Sequence, residues 1–286
     1  MKYCVTSYSF SKFIKQNGCD YIRICDEAKE MGFDGIEFIN LDGFDSSIDP
    51  LTEAVKIKEH CEKIGLEIVS YTVNGNLLAE DIEGEVRRLK GCVDVAEALG
   101  AKVMRHDVAY SLKKIPNYSY KDAIADMVPY IREITEYAEK KGIRTCVENH
   151  GYIFQAPLRV EELIKAVNHP NYGWLIDLGN FLCADSDPSI AVAIAAPYAV
   201  HVHAKDFIYK SGDMPRPEGF FGTAAGNHLR GTIVGHGVVP IAKCLRTIKA
   251  SGYDSYLSVE FEGMEECLPA IKNGLNFLKT TYESIK

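Results

Sequence analysis

Nowhere in its 286 residues does the chain hold a run of about 18 apolar residues, the length a helix needs to cross a bilayer. The opening segment, MKYCVTSYSF, also lacks the extended apolar stretch of a secretion signal. Nine cysteines are present without a single CxxC pair, so they read as reduced thiols of a cytoplasmic protein. Basic excess is missing as well. Lys and Arg number 32 against 40 Asp and Glu, a net charge of -8, which argues against broad nucleic-acid binding. No GxGxxG turn follows the first apolar segment, where SYSFSK stands instead, and this disfavours an open dinucleotide-binding sheet. No low-complexity linker or composition break divides the chain.

What is there is rhythm. Short apolar segments alternate with amphipathic ones: Tyr3–Ser7, Gly35–Ile39, Leu66–Val73, Ala101–Met104, Thr145–Val147, Gly173–Ile176, Val200–Val202 and Tyr256–Val259 read as strands. Helices are predicted over Asp20–Met31, Leu51–Ile64, Asp81–Leu99, Tyr118–Lys141, Val160–Val167, Ile190–Ala195, Val239–Ala250 and Cys267–Ile285. A glycine closes a helix just before a strand at Gly32, Gly65, Gly100, Gly142 and Gly252. Eight such units, with 47% hydrophobic residues, predict a closed (β/α)8 TIM barrel forming a single domain over 1–286. One connection is long: residues 204–237, with two prolines, two adjacent phenylalanines, Arg230 and His236, are expected to form an ordered lid.

Four consecutive predicted strands end in a ligand-type residue: Val147 runs into Glu148, Ile176 into Asp177, Val202 into His203 and Val259 into Glu260. In a barrel of this kind the C-terminal strand ends meet at one face. Three carboxylates brought together would raise one another's pKa, and a divalent cation removes that conflict. One imidazole and three hard oxygen donors suit Mn²⁺ as the expected ion, with Mg²⁺, Co²⁺ and Zn²⁺ as alternatives. The opposing reading makes each acid a separate helix cap or surface group.

The motifs VENHG (147–151), LIDLGN (175–180), HVHAKD (201–206), GHG (235–237) and SVEFEG (258–263) resemble, in order, those of the xylose isomerase-like TIM barrels of the sugar phosphate isomerase/epimerase superfamily. The resemblance implies that Glu148, Asp177, His203 and Glu260 hold one divalent metal. It also implies that Glu148 and Glu260 exchange a proton with a substrate carbon, as in the ketose epimerases. A metal across a carbonyl and its neighbouring hydroxyl stabilises an enediolate, with a carboxylate on each side as base and acid. The expected activity is therefore isomerisation or epimerisation of a small sugar or cyclitol. At the positions where ketose 3-epimerases carry a His and an Arg, Asn180 and Tyr209 stand. The segment GNHLRGTIVGHG (226–237) looks more like the inosose dehydratase branch and the catalytic subunits of C-glycoside deglycosidases, which act on 3-oxo-glucosides with a smaller partner subunit. A lyase of those kinds is the alternative.

Substrate contacts are expected from His106, His150, Asn180, Lys205, Arg230 and His236. Lys205 is placed to neutralise an oxyanion, and Arg230 to orient a polyol or anionic group. Glu37 is read either as reaching the pocket or as pairing with a buried cation. The absence of a Gly-rich phosphate cradle favours unphosphorylated substrates, and a homo-oligomer is expected. A DNA-repair endonuclease of the endonuclease IV type would need more strand-tip histidines and a basic face. A barrel that has lost catalysis would not need all four ligands.

Overall fold

The computed structural model describes residues 1–42 and 47–285. Eight parallel strands close into a barrel in the order β1-β11-β7-β6-β5-β4-β3-β2, the (β/α)8 architecture. The barrel strands are β1 (Lys2–Thr6), β2 (Gly35–Ile39), β3 (Glu67–Val73), β4 (Val103–His106), β5 (Arg144–Glu148), β6 (Tyr172–Asp177), β7 (Ala199–Ala204) and β11 (Tyr256–Val259). Around them lie α1 (Ser11–Asn17), α2 (Tyr21–Met31), α3 (Pro50–Ile64), α4 (Ile82–Leu99), α5 (Tyr120–Glu139), α6 (Pro157–Val167), α7 (Pro188–Ala195), α8 (Ile241–Ala250) and α9 (Cys267–Ser284). No described helix is long and apolar enough to cross a membrane.

Local chemistry sets the helix starts. Side chains of Asp20, Asp49, Asp81 and Asp187 each accept from a backbone N–H in the first turn of the following helix, which satisfies donors that have no partner inside the helix. The helix α1 is absent from the strand–helix rhythm, because only Ile14 of its seven residues is buried.

Successive side chains of a strand point to opposite faces, and this decides what lies inside the barrel. On the outer face Ile36, Phe38, Met104, Val147, Trp174, Ile176, Val202 and Val259 join the main core under the helices. Trp174 is fully buried and meets Phe181 edge-on at 6.2 Å between ring centroids. The inner face begins apolar, with Cys4, Val69 and Tyr256 packed together, and Cys146 and Leu175 against Val103. It then turns polar towards the C-terminal strand ends. Strand four starts two residues later than its apolar run suggests, at Val103, and therefore extends through Arg105 and His106.

The long connection is a small antiparallel sheet: β8 (Asp206–Lys210), β9 (Phe221–Gly222) and β10 (His228–Thr232) in the order β8-β10-β9. Phe207 and Leu229 form its apolar underside and pack on Cys183, with Leu182 and Phe221 at the margin. The Asp185 carboxylate accepts from Thr223 Oγ1 at 2.8 Å, Asn227 Nδ2 at 2.8 Å and the Ala225 N–H at 2.6 Å. Tyr152 Oη donates to the Gly222 carbonyl at 3.1 Å. The sheet is thus tied to the loops that follow β5 and β6.

Candidate metal centre

Asp177 and His203 are paired across β6 and β7, and Ser258 pairs with His203 across β11 and β7. This register sets Asp177 beside His203; Glu260 follows two residues after Ser258, its N–H on the Ala204 carbonyl at 3.0 Å, and Glu148 joins them from the end of β5. One ligand atom from each of the four lies within 4.8 Å of all the others. His203 Nδ1 is 3.4 Å from Glu260 Oε2 and 3.9 Å from both Asp177 Oδ2 and Glu148 Oε1.

The surroundings aim these atoms. Asp177 Oδ1 accepts the backbone N–H groups of Gly179 at 2.8 Å and Asn180 at 2.7 Å, which leaves Oδ2 facing the cluster. Asn149 locks β5 to β6: its amide donates to the Asp177 carbonyl at 2.8 Å and accepts from the Asp177 N–H at 3.0 Å and Trp174 Nε1 at 3.1 Å. Glu148 Oε2 lies 2.7 Å from Arg105 Nη2, and Glu148 Oε1 accepts from Asn180 Nδ2 at 3.0 Å. Lys205 Nζ sits 2.8 Å from Glu260 Oε2, 3.4 Å from Glu262 Oε2 and 3.6 Å from Asp177 Oδ2. Beneath His203, Glu37 Oε1 is 2.8 Å from His203 Nε2, and Glu37 Oε2 is 3.0 Å from His201 Nε2.

The charge pattern suits a cation. Asp177 Oδ2 and His203 Nδ1 are buried and make no hydrogen bond among the described residues, which is costly for polar atoms away from water. Burial, reinforced by Glu260 and Glu148 against the opposing Lys205, pushes the Asp177 carboxyl up to about 8. Burial also opposes charge on Glu260, yet Lys205 and His203 hold its carboxyl well below the usual range. A divalent ion would give both orphaned atoms a partner and relieve the repulsion among the three acids, so the residues present fit such an ion.

A cavity of about 200 Å³ opens directly above, walled by Tyr8, Thr72, Asn74, Arg105, Lys205 and Glu262, with Glu148, Glu260 and His150 also on its surface. The expected substrate contacts divide here. Lys205 and His150 line the cavity. Asn180 is buried and bridges Glu148 to Lys205, its Oδ1 accepting from Lys205 Nζ at 3.3 Å. His150 is half-exposed, with Nδ1 3.1 Å from Asp107 Oδ1.

The other three lie off the cavity wall. His106 is fully buried and points outward, its ring 6.3 Å from that of Tyr172 in the shell under the helices. Strand alternation gives the lumen position to its neighbour Arg105 instead. Arg230, on β10, lies over the Phe220 ring at 5.5 Å and beside Met264, away from the cavity wall. His236 is exposed in a turn whose purpose is structural: the backbone N–H groups of Gly235, Gly237 and Val239 donate to the Asp206 carboxylate at 2.9, 2.9 and 3.0 Å. A Cβ on Gly237 would sit 2.2 Å from Asp206 Oδ1, and Gly235 has φ +97° with the Phe277 ring 2.5 Å from where a Cβ would be. Of the long connection expected to form a lid, Lys205 lines the cavity. The segment is an ordered sheet, but none of residues 211–230 lines the cavity, because its apolar underside packs on the 3-10 turn after β6.

Arg105, Tyr8, Asn74 and Glu262 line the cavity without having been singled out as contacts. Arg105 had a sequence signal, the period-2 step from Val103. Tyr8 and Glu262 stand beyond their strand ends, where periodicity gives none.

Residues 25–281 match the xylose isomerase-like TIM barrel family, and the chain belongs to it. It is 22% identical to an inosose dehydratase of Bacillus anthracis over 219 residues, 73% of each chain. It is 26% identical to a probable ketose 3-epimerase of Synechocystis over 289 residues, 90% of each chain. Among solved structures, a probable 3-DHS dehydratase involved in petrobactin synthesis in Bacillus anthracis superposes with a TM-score of 0.77 at 20% identity, covering 98% of this chain and 99% of that one.

Proposed function

We propose that this protein is a divalent-metal-dependent isomerase or epimerase that removes a proton next to the carbonyl of a small sugar or cyclitol. The observation that carries the reading is the convergence of Glu148, Asp177, His203 and Glu260 within 4.8 Å of one another under a polar cavity of about 200 Å³. The cavity shares Tyr8, Ile39, Asn40 and Asn74 with a wider cleft of about 790 Å³ at its mouth, so a small polar substrate can reach the cluster. The four residues would hold the ion, Mn²⁺ being our assignment. When bound, it would polarise a substrate carbonyl and stabilise the enediolate formed by deprotonation.

The chain supplies the rest. Glu148 and Glu260 both face the cavity and serve as base and acid. Asn180 holds Glu148 Oε1 and Arg105 holds Glu148 Oε2, so the carboxylate keeps one orientation through the reaction. Lys205 donates to a substrate oxygen that gains charge, as His150 does from the opposite rim.

A lyase reading is favoured by the two dehydratases among the similar proteins and by Lys205, an ammonium beside Glu260 that can protonate a leaving hydroxyl. In that reaction one Glu takes the proton from carbon, the C–O bond at the next carbon breaks, and the hydroxyl leaves as water.

The test follows solvent deuterium by NMR while the Mn²⁺-loaded protein is incubated in D₂O with free ketoses, inososes and 3-oxo-glucosides. Deuterium is expected at a carbon adjacent to the carbonyl, and the product formed sorts epimerase from lyase. Glu148→Gln and Glu260→Gln are expected to abolish exchange with the fold intact. Full exchange in both variants would remove the acid–base assignment.

A further inference from the structure

His203 is the single imidazole of the cluster. It can offer a lone pair from Nδ1 only while its proton sits on Nε2, and something must hold it in that tautomer. Glu37 lies on the lumen side of β2, 1% exposed, with Oε1 2.8 Å from His203 Nε2. A carboxylate oxygen can only accept, and although the contact falls outside hydrogen-bond geometry in the metal-free chain, it puts an acceptor on the Nε2 side of the ring while Nδ1 lies toward Asp177, Glu148 and Glu260. Glu37 is itself fixed. His201 Nε2 is 3.0 Å from its second oxygen, and Ser258 Oγ donates to its first at 2.7 Å. Three strands, β2, β7 and β11, thus meet on one carboxylate directly beneath the candidate ion.

We propose that Glu37 is a positioning residue of the metal centre, which sets the tautomer and ring orientation of His203. The inference rests on the metal-site reading above. The rival is a purely structural carboxylate that only partners two buried imidazoles. Outer carboxylates on ligating histidines typically govern metal affinity by about 10–100-fold, and a structural role would not move that quantity.

The full-length protein, stripped with a chelator, is titrated with Mn²⁺ against a metallochromic competitor, alongside thermal melts of the stripped form. Glu37→Ala is expected to bind Mn²⁺ about 10–100-fold more weakly than wild type. Glu37→Gln, which keeps the volume and an acceptor oxygen but not the charge, should fall between the two. The Gln variant alone carries the test if Glu37→Ala does not fold. Wild-type affinity in the variants, with lowered melting temperatures, would overturn the inference and make Glu37 structural. A second bound ion in wild type that is lost in Glu37→Ala would also overturn it, since Glu37 would then be a ligand. Wild-type protein that binds no divalent ion would refute the metal-site reading itself.

Discussion

Arg105 is the residue whose loss should be most informative. It is 3% exposed, and Nη2 lies 2.8 Å from Asp107 Oδ1 and 2.7 Å from Glu148 Oε2. Replacing it with Met keeps much of the side-chain volume but takes from two buried carboxylates the guanidinium they share, leaving Asp107 only His150. Breaking a buried pair from one side costs about 3–5 kcal/mol. At the entropy of unfolding expected for a chain of this length, that corresponds to a fall of about 5–8 °C in melting temperature. The assay is a melt monitored by circular dichroism at neutral pH. The loss should shrink in the double variant with Asp107→Asn, because the cost comes from the uncompensated charge rather than from packing.

The pH dependence carries a sign. Burial pushes the Asp107 carboxyl up, but Arg105 and His150 hold it below its usual value. A depressed carboxylate stabilises the fold above its unfolded pKa, about 3.9, and that contribution disappears as pH falls through the folded value. In Arg105→Met this acid-side dependence should flatten. A melting temperature equal to wild type, or a deficit that Asp107→Asn leaves untouched, would refute the reasoning.

Two further outcomes are expected. The Asp177 carboxyl, at about 8 without a metal, binds a proton that the unfolded chain releases near pH 4, so this group lowers the stability of the metal-free protein as pH rises across that window. A metal must displace that proton. Mn²⁺ affinity should therefore climb with pH up to about 8, and calorimetry in buffers of different ionisation enthalpy should count a released proton at pH 7; no release would contradict the assignment. Gly237→Ala places a Cβ 2.2 Å from Asp206 Oδ1 and 2.4 Å from the Phe207 carbonyl. It should cost about 1–3 kcal/mol and speed proteolysis within residues 211–227, and an unchanged melt and digestion pattern would count against the clamp.

The barrel was legible because its inner and outer faces obey different rules. Outer positions such as Ile36, Val147 and Ile176 are apolar and continuous with the helices, so eight buried strands can be counted from the chain. The four ligand-type residues were legible because each interrupts an apolar run at one polarity step. His106 stands off the cavity although it carries the same signal. It also follows an apolar run, but β4 starts at Val103 rather than Ala101, and only the side-chain parity of a strand with known ends separates Arg105 from His106. In GHG, glycines beside a histidine suit a ligand and a carboxylate equally. Which of the two they serve depends on Asp206, 29 residues before Gly235 and brought to it only by the fold. Glu37 had no readable partner, since His201 and Ser258 reach it from strands more than 160 residues away.

Asp206 follows Lys205 directly, and its carboxylate also takes the N–H of Phe207 at 2.9 Å. The chain therefore leaves the barrel at Asp206 and returns at Gly235–Val239 through a single shared anion. The departure and the return are fastened to each other rather than to anything in between. Residues 208–233 form a closed excursion whose length can change without moving its two ends. A change of length in that excursion would accordingly leave the Lys205 ammonium at its 2.8 Å from Glu260.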